Sequence, residues 1–269
     1  MNRHNNSVRR WSCLWARPWH GVETSRSETM MNFVQAVGVV AKGKGDGIVV
    51  ATMGAMFIFD RIEGADGNAN GVPLVSGKAG LVLGLGVAKI KTVLKPAHAE
   101  AAKGSFAGRI NSVPLMGGAA GLALGLALAR PDKKVIVMDG DASLLMELGG
   151  LATVAQQAPK NLLHCVVHNG TQFTGLDNMS TPTSDFQFAE VALKCGYVHA
   201  ERIADGATWA ERFPLLLAMN GPVFVELMVE PVPKQTKDGF EAWELPANQY
   251  TRMGDEALAL QDWLAQDAA

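Results

Sequence analysis

Six consecutive residues, Met138-Asp139-Gly140-Asp141-Ala142-Ser143, follow an apolar run and lead straight into a helix-like pattern. Aspartate and glycine are common at tight strand-to-helix turns for backbone reasons alone. An aspartate at the mouth of a helix can also hold a metal. A second strand-like run, NLLHCVV, ends in His168-Asn169-Gly170-Thr171. Asp141 and Asn169 lie 28 residues apart. That is the length of one crossover between parallel strands, with a helix between them. Both side chains therefore reach the same edge of the sheet, the carboxyl edge where ligands bind in such folds. A carboxylate, an amide oxygen and a free backbone carbonyl are hard oxygen ligands that suit Mg²⁺. The Ala142 and Ser143 amides open a helix N-terminus, a ready anion site. Metal and helix mouth together suit a diphosphate. A strand-end carboxylate in this position is expected to be partly exposed.

The elements that must position these residues can be read in outline. Residues 32–43 (NFVQAVGVVAKG) read as a short helix stopped at glycines, and 47–56 (GIVVATMGAM) as a β-branched strand ending in a glycine turn. Residues 63–73 are a loop by composition, 80–94 a glycine-weakened helix, and 95–110 a polar connection. GGAAGLALGLALARP (117–131) reads as a small-residue helix ended by Pro131, KKVIVMDG as a buried parallel-type strand, and 142–160 as one helix. After the strand that ends at His168 come a helix near 184–194, a strand near 196–203, a helix at 207–220 and the strand PVFVELMVE. The tail from 231 reads as irregular, then helical from about 254. Strands alternating with helices indicate a doubly wound parallel α/β sheet with helices on both faces.

Composition bounds the rest. With 48% hydrophobic and 19% charged residues the chain can build a sizeable core. A formal net charge of −2 gives no electrostatic case for nucleic acid. Cys13, Cys165 and Cys195 are far apart, so neither a zinc site nor a cysteine-bound cluster is signalled. A reducing, cytoplasmic setting is expected. GLVLGLGVA and GLALGLALA are too short to cross a bilayer. Three units are expected: an arm over 1–30, a ligand-binding domain over 31–230 and a tail over 231–269. Residues 1–30 hold five arginines and three tryptophans without apolar periodicity. They fit an early start codon, with Met30 or Met31 the true start, a mobile arm that touches a partner, or a transit-type segment.

The order GDAS, a spacer of this length, then HNG, resembles the thiamine diphosphate signature, GDG followed by NN or DN. The stretch around it, about 110–200, resembles the small decarboxylases that act on phosphonopyruvate or sulfopyruvate, in the latter case the beta subunit. The resemblance implies a role for each matched position. Asp141 and Asn169 match the metal ligands, and Thr171 takes the position whose backbone carbonyl completes the metal site. Gly140, Ala142 and Ser143 take the diphosphate turn. Ala142 replaces the usual glycine, which requires a negative backbone φ. His168 replaces the first Asn or Asp of the second motif, a position that is not a metal ligand. It reads as a neighbour of the site, a satisfied polar residue or a catalytic base.

Other residues carry open alternatives. His164, inside an apolar strand, reads as a core histidine. Gly117, Gly121 and Gly125 recur every four residues, which fits close packing on the chain's own sheet or contact with cofactor or a partner chain. Gly117 is the cofactor-binding candidate among them. Met53 and Met56 read as core, although the family places a loop touching the aminopyrimidine near there. Thr174, Ser180, Thr181 and Thr183 could form a polar lid over substrate or an exposed loop.

The cofactor supplies most of the chemistry in this family. It also needs a glutamate from a second, pyrimidine-binding domain of ordinary size, about 150 residues. Only 139 residues precede Gly140, and the ligand-binding domain's own early elements use most of them. The expectation is a thiamine diphosphate- and Mg²⁺-binding subunit of a hetero-oligomeric 2-oxoacid decarboxylase. Its activating Glu would come from a partner chain, and its substrate would be a small anionic 2-oxoacid. TGLDNMSTPTS leaves open the beta subunit of a 2-oxoacid:ferredoxin oxidoreductase, which the absence of paired cysteines disfavours. A non-catalytic scaffold of the same fold is the third reading, and it need not keep Asp141 and Asn169.

Overall fold

In a computed structural model of the chain, residues 30–63, 108–112, 114–173, 178–181, 186–230 and 249–266 are described. The arm up to residue 29 lies outside them, as do the loop 64–73, the helix expected at 80–94, the connection up to residue 107, and Thr174 and Thr183.

The order is α1 (Phe33–Gly43), β1 (Ile48–Ala51), α2 (Met53–Glu63), β2 (Arg109–Asn111), α3 (Ala119–Ala129), β3 (Val135–Gly140), α4 (Asp141–Met146) and α5 (Gly150–Gln157). Then follow β4 (Leu162–His168), β5 (Thr171–Phe173), β6 (Asn178–Ser180), α6 (Phe188–Cys195), β7 (His199–Ile203), α7 (Gly206–Ala218), β8 (Val223–Met228) and α8 (Gln249–Gln266). Six strands make one sheet in the order β2-β1-β3-β4-β8-β7, and every neighbouring pair is parallel. β5 and β6 form a separate antiparallel pair.

Strand side chains alternate between two cores, as the two-residue pleat dictates. Val49, Ile136, Met138, Leu163, Cys165 and Val167 face one side, with residues of α1, α2 and α7. Ile48, Val50, Val135, Val137, Leu162 and Val166 face the other, with residues of α3, α5, α6 and α8. Because both faces are covered, the central strands read as unbroken apolar runs. α1 opens on a capping box, in which Asn32 Oδ1 accepts from Gln35 N while Gln35 Oε1 accepts from Asn32 N, both at 2.9 Å.

The chain runs outward from β1 to β2 and returns to β3 on the other side of β1. It later runs from β4 out to the edge strand β7 and returns to β8. The carboxyl ends of β3 and β4 thus sit between two reversals of strand order, where open α/β sheets bind ligands.

Four local expectations differ from what is observed. The strand expected over 47–56 ends at Ala51, and α2 starts two residues later. Arg109–Asn111, expected within a polar connection, is the edge strand of the sheet. The helix expected over 142–160 is two helices, α4 and α5, separated at Glu147–Gly149. The tail becomes helical at Gln249, and α8 packs on β2. There the buried Glu256 accepts from Asn111 N and Nδ2, both at 2.6 Å, while Arg252 bridges Glu256 and Asp60. Charged side chains at helical spacing look like a solvated face in sequence. Here they close the sheet edge.

Candidate active site

β3 delivers Asp139, Gly140 and Asp141 to its carboxyl end. Asp141 is 1% exposed, which corrects the expectation of partial exposure. The cause is the chain that covers it after β4. Its Oδ2 accepts from Gly170 N at 3.0 Å and from the Thr181 hydroxyl at 2.9 Å. Thr181 N in turn donates to Gly170 O at 3.0 Å. Burial pushes the Asp141 carboxyl above its ordinary value, while the Thr181 hydroxyl, His168 and the amides of Ala142 and Gly170 pull the other way. A carboxylate that is buried, raised in pKa and set among hydrogen-bond donors fits a divalent cation, whose charge would offset the cost of burial.

The turn around it is shaped for close approach. Gly140 has φ −111° and ψ 152°, which any residue adopts, and a Cβ there would meet nothing within 4 Å. The space beside its Cα is open on the rim of the site. Ala158 is the one non-glycine residue with positive φ among those described, so Ala142 meets its requirement of negative φ. Gly117 differs, with φ +87° and with Glu147 Cγ 3.0 Å from where a Cβ would stand. Its amide donates to Ser143 Oγ at 3.0 Å, which ties the loop before α3 to α4. Gly121 and Gly125 are exposed with nothing within 4 Å of a Cβ, so packing on the chain's own sheet does not explain them. The inward positions of α3 are Ala119, Ala120, Ala123, Leu124 and Ala127.

At the end of β4, Asn169 Oδ1 accepts from Thr171 N at 2.9 Å and from Thr171 Oγ1 at 3.1 Å. Both oxygen-bearing groups stand at the strand end, but the Asn169 amide is turned into its own turn. Asp141 is instead approached by Gly170 and by Thr181, which is a site neighbour; Ser180 is exposed. No group of three His, Cys, Asp or Glu side chains among the described residues could hold a metal unaided. The helix that follows β3, α4, is only six residues long.

Sequence reasoning missed what stands behind these residues. His168 is buried, with Nδ1 2.8 Å from Glu226 Oε1 and Nε2 3.9 Å from Asp141 Oδ2. Glu226 is fully buried, accepts from Ala189 N at 3.1 Å and pairs with Arg202 at 3.0 Å. An acidic residue inside the run PVFVELMVE was the available signal. Asp139 Oδ1 accepts from Gly140 N at 2.8 Å, and Oδ2 lies 3.7 Å from His164 Nε2. His164 sits in the core as expected, with Nδ1 3.1 Å from the Tyr197 hydroxyl.

A six-stranded parallel sheet with helices on both faces and this turn at its carboxyl edge define the fold of a thiamine diphosphate-binding domain. Residues 98–227 match the family described as thiamine pyrophosphate enzyme, C-terminal TPP binding domain. They form a decarboxylase-like domain, distantly homologous to phosphonopyruvate and sulfopyruvate decarboxylases. The phosphonopyruvate decarboxylase of Streptomyces viridochromogenes is 41% identical over 101 residues, covering 37% of this chain and 25% of that protein. The beta subunit of sulfopyruvate decarboxylase from Methanothermobacter thermautotrophicus is 39% identical over 100 residues, covering 37% of this chain and 51% of that subunit. A solved structure of a thiamine diphosphate-dependent 4-hydroxybenzoylformate decarboxylase from Rhodococcus jostii superposes with a TM-score of 0.50 at 15% identity, covering 77% of this chain and 34% of that one. That likeness concerns the fold. No helix among the described residues is long and apolar enough to cross a membrane.

Proposed function

We propose that this chain is the thiamine diphosphate- and Mg²⁺-binding subunit of a heteromeric decarboxylase for a small anionic 2-oxoacid of the sulfopyruvate or phosphonopyruvate type. The observation that carries the reading is the buried Asp141 carboxylate at the end of β3, bracketed by Gly170 N and the Thr181 hydroxyl beside an open Gly140. Asp141, Asn169 and the Thr171 carbonyl are the metal ligands in this reading. Asn169 gives up part of its bonding to Thr171 to serve. Gly117, Gly140, Ala142 and Ser143 form the diphosphate turn.

Bound thiamine diphosphate supplies the nucleophilic carbon and the electron sink for loss of CO₂. The chain's own residues fix the charged tail of that group and exclude water from the Asp141 carboxylate. A glutamate from a pyrimidine-binding partner subunit supplies the activating carboxylate. A partner is further supported by α3, which has no charged residue and leaves Gly121, Gly125 and Leu128 exposed, the last at 53%. A helix that is apolar all round is ordinarily covered. Leu115, Met116 and Met146, each more than 40% exposed, flank the same loop and helix. The beta-subunit relatives belong to a protein named as having subunits, which points the same way.

The test is reconstitution. The chain alone, with saturating cofactor and Mg²⁺, should turn over no small 2-oxoacid. Activity should appear with a second chain of about 150–200 residues, one domain's worth. Turnover by the single polypeptide would place the activating Glu within these 269 residues and refute the partner.

A further inference from the structure

We propose that His168, held from behind by Glu226 and Arg202, is a positioning residue for the Asp141 carboxylate and sets metal affinity. This rests on the reading of Asp141 as a metal ligand. The imidazole has little freedom. Nδ1 lies 2.8 Å from Glu226 Oε1, and a carboxylate only accepts, so Nδ1 carries the hydrogen. The ring stands edge-on to Phe188, with centroids 5.2 Å apart and planes at 86°. Glu226 itself is fixed by the Ala189 amide at 3.1 Å and by Arg202 at 3.0 Å.

With Nδ1 committed to Glu226 and the ring packed against Phe188, Nε2 faces Asp141 Oδ2 across 3.9 Å, too far for a direct hydrogen bond. Gly170 N and the Thr181 hydroxyl confine that oxygen from other directions. The carboxylate therefore keeps one orientation before any ligand arrives. Outer partners of this kind typically carry about 10–100-fold in metal affinity. The three residues come from β4, β7 and β8, so the arrangement spans the reversal of strand order beside the site. A buried glutamate in the middle of an otherwise apolar strand costs desolvation, and its position behind His168 gives it a use.

The experiment is a titration of the full chain with MgCl₂ at saturating thiamine diphosphate, followed by calorimetry, on folded protein checked by circular dichroism. His168→Asn retains a donor toward Glu226 and removes the Nε2 edge, whereas His168→Gln places an amide near the Nε2 position. The first should raise the Mg²⁺ dissociation constant about 10–100-fold, and the second should recover part of that loss. Glu226→Gln, two residues removed from the metal, should weaken Mg²⁺ at least several-fold, and it stands in if the His168 variants fail to fold. Asp141→Ala run alongside separates the two claims. If it binds Mg²⁺ and cofactor like the native chain, the site reading fails. If it loses binding while folded His168→Asn, or in its place Glu226→Gln, stays within twofold of native, the positioning role is refuted.

Discussion

Asp141→Asn tests the site most directly, because its two effects have different signs. The substitution keeps the shape, and its amide oxygen can still accept from Gly170 N and the Thr181 hydroxyl. Hydrogen bonds to a charged acceptor contribute about 1.5–3 kcal/mol each and neutral ones about 0.5–1.5. The weaker bonds cost about 2 kcal/mol for the pair on those figures. Relief of the buried carboxylate, seen in its raised pKa, offsets them. The free chain should therefore change by no more than about 1 kcal/mol, or about 2–4 °C in Tm for a domain of this size. Ligand binding behaves otherwise. At a hundred times Kd, thiamine diphosphate with Mg²⁺ should stabilise the native chain by about 2.7 kcal/mol, which raises Tm by about 5–11 °C. The variant should lose that rise.

The pH dependence follows with a definite sign. The folded carboxyl titrates above its ordinary 3.8, so the native state binds more protons than the unfolded state between the two values. Stability of the free protein contributed by this group is present at low pH and is lost as pH rises through the folded pKa. The variant should flatten that slope, read by thermal unfolding across the acidic range. A variant that gains the full ligand-induced rise in Tm would show that the cofactor does not use Asp141.

Gly140→Ala should leave stability within about 0.5 kcal/mol, because φ is ordinary and the space is open. It should weaken thiamine diphosphate binding by calorimetry, since its methyl enters the proposed diphosphate turn. Gly117→Ala should instead cost about 1–2 kcal/mol in urea unfolding, from its φ of +87° and the contact with Glu147. Glu256→Ala strips a fully buried carboxylate from Asn111 and Arg252 and should cost about 3 kcal/mol or more by the same measurement. A chain starting at Met30 should keep its Tm. One starting at Met31 should melt lower, because it puts a charged amine on a residue that is 1% exposed and whose amide donates to Ala204 O.

The sheet was legible because its central strands, buried on both faces, are apolar and β-branched and end at glycine-bearing turns. The placement of Asp141 and Asn169 at one edge was legible because a spacing of 28 residues fits one strand-to-strand crossover. What escaped were features made by distance in sequence. β2 has three residues, and its identity as a strand depends on pairing with β1, not on its own pattern. The break between α4 and α5 falls at Glu147–Gly149, where Gly150 N bonds to Glu147 O and no apolar period is interrupted. Asp141 was expected to be half open because the residues that cover it, Gly170 and Thr181, follow another strand. Glu226 is 58 residues from His168, and no local rule joins them.

The donors at the carboxyl edge also bear on how metal and cofactor bind. Mg²⁺ demands about six oxygens in near-octahedral order. The proposed set from this chain supplies three, and the structure has two of them engaged: Asp141 Oδ2 with Gly170 and Thr181, and Asn169 Oδ1 with Thr171. In that reading a hard cation alone would meet an incomplete shell of protein donors. A diphosphate alone would meet a buried carboxylate of its own sign. In the proposed reading each ligand would offset the other's obstacle, because a diphosphate would bring further oxygen donors and a cation would offset the Asp141 charge. By linkage, whatever factor the cofactor adds to Mg²⁺ affinity, Mg²⁺ adds to cofactor affinity. A site so arranged would favour the metal–diphosphate pair over either component, because an unpaired Asp141 charge is costly to bury.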